Sequence, residues 1–398
     1  MQIKQIVSAT DWRTVLWGAH GVTHLVLHSA AEVTDLVAEM DGTIRQSPWP
    51  TGSVKLPPRQ RAPWPYRLVA GVFRHTAKLL QRLVIEAEIT QSHGVTLPVL
   101  SALNGVLGDK LEHWQSPLAF GMTLRNQNSE QLAWSELATS SKAKVVLFAH
   151  GLCWSEREWQ TPAQSDFLAV MQNKGWQPAW LRYNSGRAIW RNGEDLANWL
   201  EEALTEYPVK ELVLVGHSQG GLLIRSAFEY AREHNHRWLY VVTRAAYLAT
   251  PHHGAPLERA GNWANALLSY SPYTRPLMRL GNIRSAAIKD LRFGLLTQAH
   301  SVLVSDDAHH DCRDCPIKLP DHIHHFMLAG SINADAAQNW IGDGLVPVSS
   351  GLGLHARPEM NLHASSLARV ELERMDHMKM LADVRVWDAV ADWWLAPK

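Results

Sequence analysis

The chain has 398 residues, of which 46 % are hydrophobic, and its 38 Lys and Arg residues balance its 38 Asp and Glu residues. This length suits one large core with additions, and the balanced charge gives no indication of a nucleic-acid partner. Three cysteines, Cys153, Cys312 and Cys315, are too few for a disulfide scaffold and favour a reducing compartment. Because the sequence shows neither a signal-peptide pattern nor an apolar run of membrane-spanning length, we expect a cytoplasmic protein.

Residues 1–115 are predicted to form an N-terminal helical region. Residues 22–26 (VTHLV) recur as residues 33–37 (VTDLV), an offset of eleven that keeps one apolar stripe on a straight helix. After a proline-rich linker at 46–66, a second helical stretch carries what we call the basic face (Arg67, Arg74, Lys78 and Arg82). Helices of this kind can lie on anionic membranes, so peripheral membrane contact is one interpretation. Packing against the rest of the protein is the favoured one.

From residue 116 onward, short apolar runs alternate with helical patterns, which predicts a parallel sheet covered by helices on both faces. The expected strands are 119–125, 144–150, 178–184, 212–215, 245–249, 324–330 and 367–374, and the expected helices include 189–207 and 383–395. Residues 255–322 interrupt the alternation with helical stretches and a polar loop. We therefore predict one α/β domain over 116–398 with a helical cap inserted at 255–322.

The stretch 211–225, ELVLVGHSQGGLLIR, holds the strongest chemical signal in the sequence. An apolar run of strand type ends in the pentapeptide Gly216-His217-Ser218-Gln219-Gly220, and helical periodicity follows directly. A G-x-S-x-G pentapeptide between a strand and a helix is typical of a sharp turn that exposes a nucleophilic serine. The alternative, a simple glycine-rich turn, does not require this flanking context. Ser218 is therefore predicted to be the nucleophile.

A serine nucleophile needs a base and an acid that orients the base. Downstream of Ser218, Asp343 lies between two glycines after a predicted strand, and His377 directly follows the last predicted strand. Both would lie at the carboxyl edge of the sheet, as Ser218 does. Asp335 is the alternative acid. The competing histidines near the same edge are interpreted as backbone-orienting or pocket-lining groups: His150, His217, His252 and His253.

The same chemistry needs two backbone N–H groups that face the oxyanion. Gln219 begins the helix after the nucleophile, and its N–H is the first candidate. The loop after the strand 144–149 contains Gly151, which allows close backbone approach, and the N–H of Leu152 is the second candidate.

Seven stretches together resemble the bacterial lipase and esterase group of the α/β-hydrolase superfamily, with a wider resemblance to GPI inositol-deacylase-like hydrolases. They are HGLCWSEREW at 150, LRYNSGRAIWRNG at 181, GHSQGG at 216, LATPHHGAPLERAGNW at 248, IRSAAIKDLRFG at 283, GDGLVPV at 342 and DHMKMLADVRVW at 376. The resemblance implies the α/β-hydrolase fold, a triad of Ser218, Asp343 and His377, and an oxyanion hole of Leu152 and Gln219.

From these residues we expect a serine hydrolase that cleaves carboxylic esters, with apolar acyl chains, and that needs no cofactor. A thioesterase or acyltransferase of the same fold is one alternative, since the same triad serves any acyl transfer. A non-catalytic lipid-binding or membrane-associated protein is another. Small-molecule esters or lipids are the expected partners.

Two possible metal sites are weighed and set aside. Many secreted bacterial lipases bind calcium through an aspartate two residues after the catalytic histidine, whereas Lys379 stands there in this chain. His309, His310, Cys312 and Cys315 form a compressed cluster that lacks a second ligand pair, so a polar cap loop is the favoured interpretation.

Overall fold

A computed structural model of the protein describes residues 96–254, 285–303, 316–332 and 342–396, with Arg313 and scattered helical residues at 23–31 and 70–76. Contacts divide the chain into two compact units, residues 1–92 with 111–119 and residues 93–110 with 120–398. The predicted eleven-residue repeat and the basic face lie largely outside the described residues. The predicted division of the chain near residue 115 stays a prediction.

The second unit contains an eight-stranded sheet in the order β2-β1-β4-β3-β5-β6-β7-β8. The strands are β1 (Thr123–Arg125), β2 (Gln131–Leu132), β3 (Lys144–Ala149), β4 (Trp176–Arg182), β5 (Glu211–His217), β6 (Val242–Leu248), β7 (His324–Ser331) and β8 (Leu367–Glu373). Strands β3 to β8 pair in parallel, whereas β1 is antiparallel to both of its neighbours. The expected mostly parallel sheet is confirmed. The short strand β2, which completes a hairpin with β1, was not predicted.

Two of the described α-helices begin after a residue whose side chain caps them. The described α-helices are α1 (Thr96–His113), α2 (Trp134–Leu137), α3 (Pro162–Asn173), α4 (Ile189–Glu206), α5 (Gln219–Glu233), α6 (Ala286–Leu291), α7 (Gln298–Leu303), α8 (Val348–Gly351) and α9 (Val384–Leu395). The Thr161 side chain accepts the Gln164 N–H before α3, and Asp383 accepts the Arg385 N–H before α9. Short 3-10 turns occur at Glu156–Trp159, Arg237–Val241, Pro358–Met360 and Met380–Ala382.

Alternating side chains along the strands build one core on each face of the sheet. In β3, Val145 and Leu147 face a core that includes Leu196 of α4 and Leu223 of α5. Val146 and Phe148 face the other core, which includes residues of α3 and α9 such as Phe167 and Trp387. This alternation follows from the two-residue period of a strand. The expected coverage of both faces by helices is confirmed.

The predicted cap lies partly outside the described residues. Between 255 and 322, the structure describes residues 285–303, the single residue Arg313 and residues 316–322. Residues 285–303 contain the short helices α6 and α7. Among the described helices, none combines the length and the apolar character that a membrane crossing needs.

Candidate active site

Ser218 occupies a strained turn between β5 and α5. Its backbone has φ 53° and ψ −123°, a conformation that non-glycine residues rarely adopt. A Cβ atom at Gly216 would lie 2.4 Å from the Gly221 nitrogen, and one at Gly220 would lie 2.1 Å from the Ala149 carbonyl oxygen. Glycine is therefore required on both sides of the serine. Strain of this kind persists where the surrounding fold holds it in place, and functional sites are where it concentrates.

Asp343 and His377 are joined by a short hydrogen bond in the interior. The Nδ1 atom of His377 lies 2.7 Å from Oδ2 of Asp343, and both side chains are buried. The backbone N–H of His377 also donates to the Asp343 carbonyl oxygen at 3.0 Å. Because an ionised carboxylate only accepts hydrogen bonds, this contact assigns the imidazole proton to Nδ1. The Nε2 atom is then left as a proton acceptor.

The Asp343 carboxylate is fixed by its own turn. Its Oδ1 atom accepts the backbone N–H groups of Leu345 at 3.0 Å and Val346 at 2.8 Å, so only Oδ2 is presented to His377. The flanking glycines have positive φ, 58° at Gly342 and 96° at Gly344. A Cβ at Gly342 would lie 1.8 Å from the Val346 carbonyl oxygen. The glycine bracket seen in the sequence is thus what permits this turn.

His377 lies beside the residue that precedes the strained serine. The ring of His217, the residue before Ser218, has its centroid 4.9 Å from that of His377. Within the described part of the chain, Ser218 Oγ makes no hydrogen bond to His377. Hydrogen bonds of this type are often long before substrate binds. The alternative acid, Asp335, lies outside the described residues.

The loop after β3 approaches the serine closely. A Cβ at Gly151 would lie 3.1 Å from Ser218 Cβ, and Leu152 is buried. The backbone N–H groups of Leu152 and Gln219 have no hydrogen-bond acceptor among the described residues. Two free donors near one serine are what an oxyanion hole requires.

The competing histidines are held as neutral structural groups. His150 Nδ1 donates to the Gly151 carbonyl oxygen at 2.8 Å, its Nε2 accepts the Tyr183 N–H at 3.4 Å, and burial lowers its pKa to about 4. His217 stacks on Trp154 with centroids 4.7 Å apart, and burial holds its pKa well below the usual range. Burial also lowers the pKa of His252 and of His253.

Ser185 is a buried residue near the site that received no role from the sequence. It lies on the loop after β4, hydrogen-bonded to Cys153 and Gln219. The signal available was the polar run Asn184-Ser185-Gly186 at the carboxyl end of a strand beside β3. Ligand sites of parallel sheets form at the carboxyl ends of the strands, so polar residues at that edge are candidates for a functional role.

A buried ion pair lies just beyond the loop after β3. The guanidinium of Arg182 donates from both Nε and Nη2 to the carboxylate of Glu156. Burial raises the pKa of Glu156, but the hydrogen bonds and charge of Arg182 outweigh it and hold that pKa below its ordinary value. The pair ties β4 to the segment that follows Leu152.

No cluster of three potential metal ligands occurs among the residues that the structure describes. The segment with His309, His310, Cys312 and Cys315 falls outside them.

Comparison with known proteins bears on the fold. A family model described as PGAP1-like alpha/beta domain matches residues 141–291, which include the turn at Ser218 and the loop after β3. The chain carries an α/β-hydrolase fold. The strand order, the antiparallel β1 beside parallel strands, and the strained serine between β5 and α5 all belong to this fold.

Solved structures similar to the chain include esterases and lipases. The mature lipase BlEst2 of Bacillus licheniformis is 19 % identical, with a TM-score of 0.40 over 65 % of this chain and 93 % of that one. Naproxen esterase from Bacillus subtilis is 14 % identical, with a TM-score of 0.37 over 64 % of this chain and 85 % of that one. An esterase of Pyrococcus furiosus is 12 % identical, with a TM-score of 0.39 over 63 % and 81 %. No curated protein sequence matches the chain.

Proposed function

We propose that this protein is a serine hydrolase that cleaves carboxylic esters through an acyl-enzyme. The observation that carries the proposal is the buried 2.7 Å contact between His377 Nδ1 and Asp343 Oδ2 at the sheet edge where Ser218 adopts its strained turn. A base whose orienting acid is itself fixed by two N–H groups is the arrangement that activates a serine hydroxyl.

In the proposed reaction, Nε2 of His377 takes the Ser218 proton as Oγ attacks the ester carbonyl. The tetrahedral oxyanion accepts hydrogen bonds from the N–H groups of Leu152 and Gln219, each contributing about 3 kcal/mol of transition-state stabilisation. His377 then protonates the leaving alcohol. Water attacks the acyl-enzyme by the same route, and the carboxylic acid leaves. Asp343 keeps the imidazole in the required tautomer and stabilises its cation.

Apolar acyl chains are the proposed substrate class. Support comes from the apolar cap sequence at 263–268, WANALL, and from Trp154, which lies against His217 next to the nucleophile. A cytoplasmic location is also part of the proposal, and peripheral membrane contact through the N-terminal helices stays the alternative to packing; both rest on the sequence alone.

Active-site labelling tests the proposal directly. We expect a fluorophosphonate probe to label the protein, Ser218→Ala to abolish labelling and ester turnover, and Ser226→Ala to preserve both. Ser226 is a suitable control because it is a buried serine of α5, the helix that begins directly after Ser218, and its hydroxyl donates to the Leu296 carbonyl oxygen. A folded wild-type protein that does not react with the probe would support a non-catalytic lipid binder instead.

Substrate class is tested with p-nitrophenyl esters of increasing acyl length. Turnover should rise from acetate towards medium or long chains if the acyl site is apolar. Each acyl chain is then offered as a thioester, and faster thioester cleavage at equal chain length would favour the thioesterase alternative.

A further inference from the structure

Ser185 connects the two chain segments that carry the proposed oxyanion donors. Its Oγ atom accepts the backbone N–H of Cys153 at 3.1 Å, one residue beyond Leu152. Its carbonyl oxygen accepts the Nε2–H of Gln219 at 2.8 Å. Ser185 is 1 % exposed, so both bonds lie away from solvent. Buried hydrogen bonds hold geometry because breaking them leaves a donor unsatisfied.

We infer that Ser185 is a positioning residue that sets the separation and direction of the two oxyanion donors. The inference rests on the proposed function. A donor stabilises the transition state only when it is aimed at the place where negative charge develops. A residue that bonds to both donor segments at once therefore affects the rate without touching the substrate.

The loop that carries Ser185 is held from three sides, so it can serve as a fixed reference. The Asn184 side chain donates to the Gly108 carbonyl oxygen of α1 at 2.9 Å. The Asn192 side chain of α4 donates to the Asn184 carbonyl oxygen at 2.9 Å. The Ala287 N–H of α6 donates to the Gly186 carbonyl oxygen at 3.3 Å. Three helices thus fix the backbone on both sides of Ser185.

The segment that Ser185 holds is itself strained. Cys153 has φ 62°, which is unfavourable for a residue with a side chain. Helix α1 presses on the same residue, since a Cβ at Gly105 would lie 2.2 Å from Cys153 Sγ and 2.7 Å from its backbone nitrogen. Without the Ser185 hydroxyl, the Cys153 N–H has no acceptor and the strained turn is free to relax. Relaxation there would move the adjacent Leu152 N–H.

Ser185→Ala tests the inference, because it removes the acceptor for Cys153 and keeps the carbonyl that holds Gln219. Deleting an oxyanion donor outright costs about 100-fold to 1000-fold in kcat, so misplacing one should cost between about tenfold and 100-fold. We expect KM for a p-nitrophenyl ester to stay within about twofold, since ground-state binding is unchanged. Affinity for a trifluoromethyl ketone, which forms a tetrahedral adduct with the serine, should fall by the same factor as kcat.

Ser350→Ala is the matched control. Ser350 Oγ accepts the His253 N–H, also at 3.1 Å, donates to the Gly254 carbonyl oxygen at 2.8 Å, and is also buried, but it holds a different loop. The Ser350→Ala variant should lose at least as much stability as Ser185→Ala and keep its kcat. Endpoint titration with a fluorophosphonate gives the concentration of intact sites in each variant, so a partly unfolded preparation does not imitate a low kcat.

Two results would overturn the inference. In the first, the wild type turns over esters, but Ser185→Ala has the same kcat as Ser350→Ala and an unchanged affinity for the ketone. The proposed function would then stand, and the role of Ser185 as a positioning residue would be wrong. The other is a wild-type protein that neither labels nor turns over esters, which overturns the proposed function and this inference together.

Discussion

Asp343→Asn is the substitution whose outcome the structure predicts in most detail. The amide that replaces the carboxylate has one oxygen and one NH2 group. The oxygen can take the place of Oδ1, where it accepts the N–H groups of Leu345 and Val346, and the NH2 group then faces His377. The reversed orientation would leave two buried N–H donors without an acceptor, at about 1–3 kcal/mol each. The amide is therefore expected to point its NH2 group at the imidazole.

An NH2 group facing Nδ1 requires that nitrogen to accept, so the imidazole proton moves to Nε2. His377 in this tautomer cannot take a proton from Ser218. By analogy with serine proteases, kcat should fall by about four orders of magnitude, which corresponds to about 5.5 kcal/mol in activation free energy. The fold should persist because the two backbone hydrogen bonds are kept.

The assay is steady-state hydrolysis of a p-nitrophenyl ester, with circular dichroism and thermal melting to check the fold. Asp335→Asn is the control and should change kcat only slightly. A large loss at Asp335 with near-normal turnover at Asp343 would refute the assignment of the acid.

Three further outcomes are expected. EGTA should leave activity unchanged, because Lys379 puts a cation where related lipases place a calcium-binding carboxylate, and a calcium-reversible loss would contradict this. Because packing is the favoured interpretation of the N-terminal helices, the full chain and a variant with glutamine at the four positions of the basic face should behave alike in flotation with anionic vesicles; binding by the full chain that the variant loses would instead support membrane contact. Burial raises the pKa of Asp290 from 3.8 to about 7, so the folded state retains a proton that the unfolded state releases. Proton binding by Asp290 therefore stabilises the folded state relative to the unfolded state. This stabilisation is complete below about pH 4 and is lost as the pH rises through about 7. The free energy of unfolding relative to Asp290→Asn should therefore fall by up to about 4 kcal/mol over that range in urea titrations, and a flat difference would show that Asp290 ionises normally.

Ser218 and Asp343 could be picked out because each has a local signature. The strand β5, the glycines around Ser218 and the periodicity of α5 are contiguous in sequence, and together they dictate a turn that only glycine flanks permit. Asp343 between two glycines of positive φ is equally local. The roles of these residues stay predictions until the variants are measured.

The contacts that surround Ser218 and Asp343 could not be predicted from the sequence, because they join segments that are far apart in the chain. The hydrogen bonds of Ser185 join residues 32 and 34 positions apart, and Ser285 Oγ reaches the Gly105 carbonyl oxygen across 180 positions. Nothing in the composition of 93–110 indicates that Gly105 lies against Cys153. The sequence interpretation of residues 1–115 went no further than a helical region that packs against the rest of the protein, with membrane contact as the alternative.

The sequence by itself determined the alternation of strands and helices, the strained turn at Ser218 and the glycine-bracketed aspartate, because each depends on the conformational limits of a few neighbouring residues. Only the tertiary structure decided that His377 meets Asp343, that neutral His150 braces the loop after β3, and that α1 and Ser185 hold Cys153 in its strained conformation. These contacts form because parallel strands bring their carboxyl ends to one edge of the sheet, where folding buries polar groups away from water. A buried donor without an acceptor costs free energy, so its partner can come from any segment that the fold brings near.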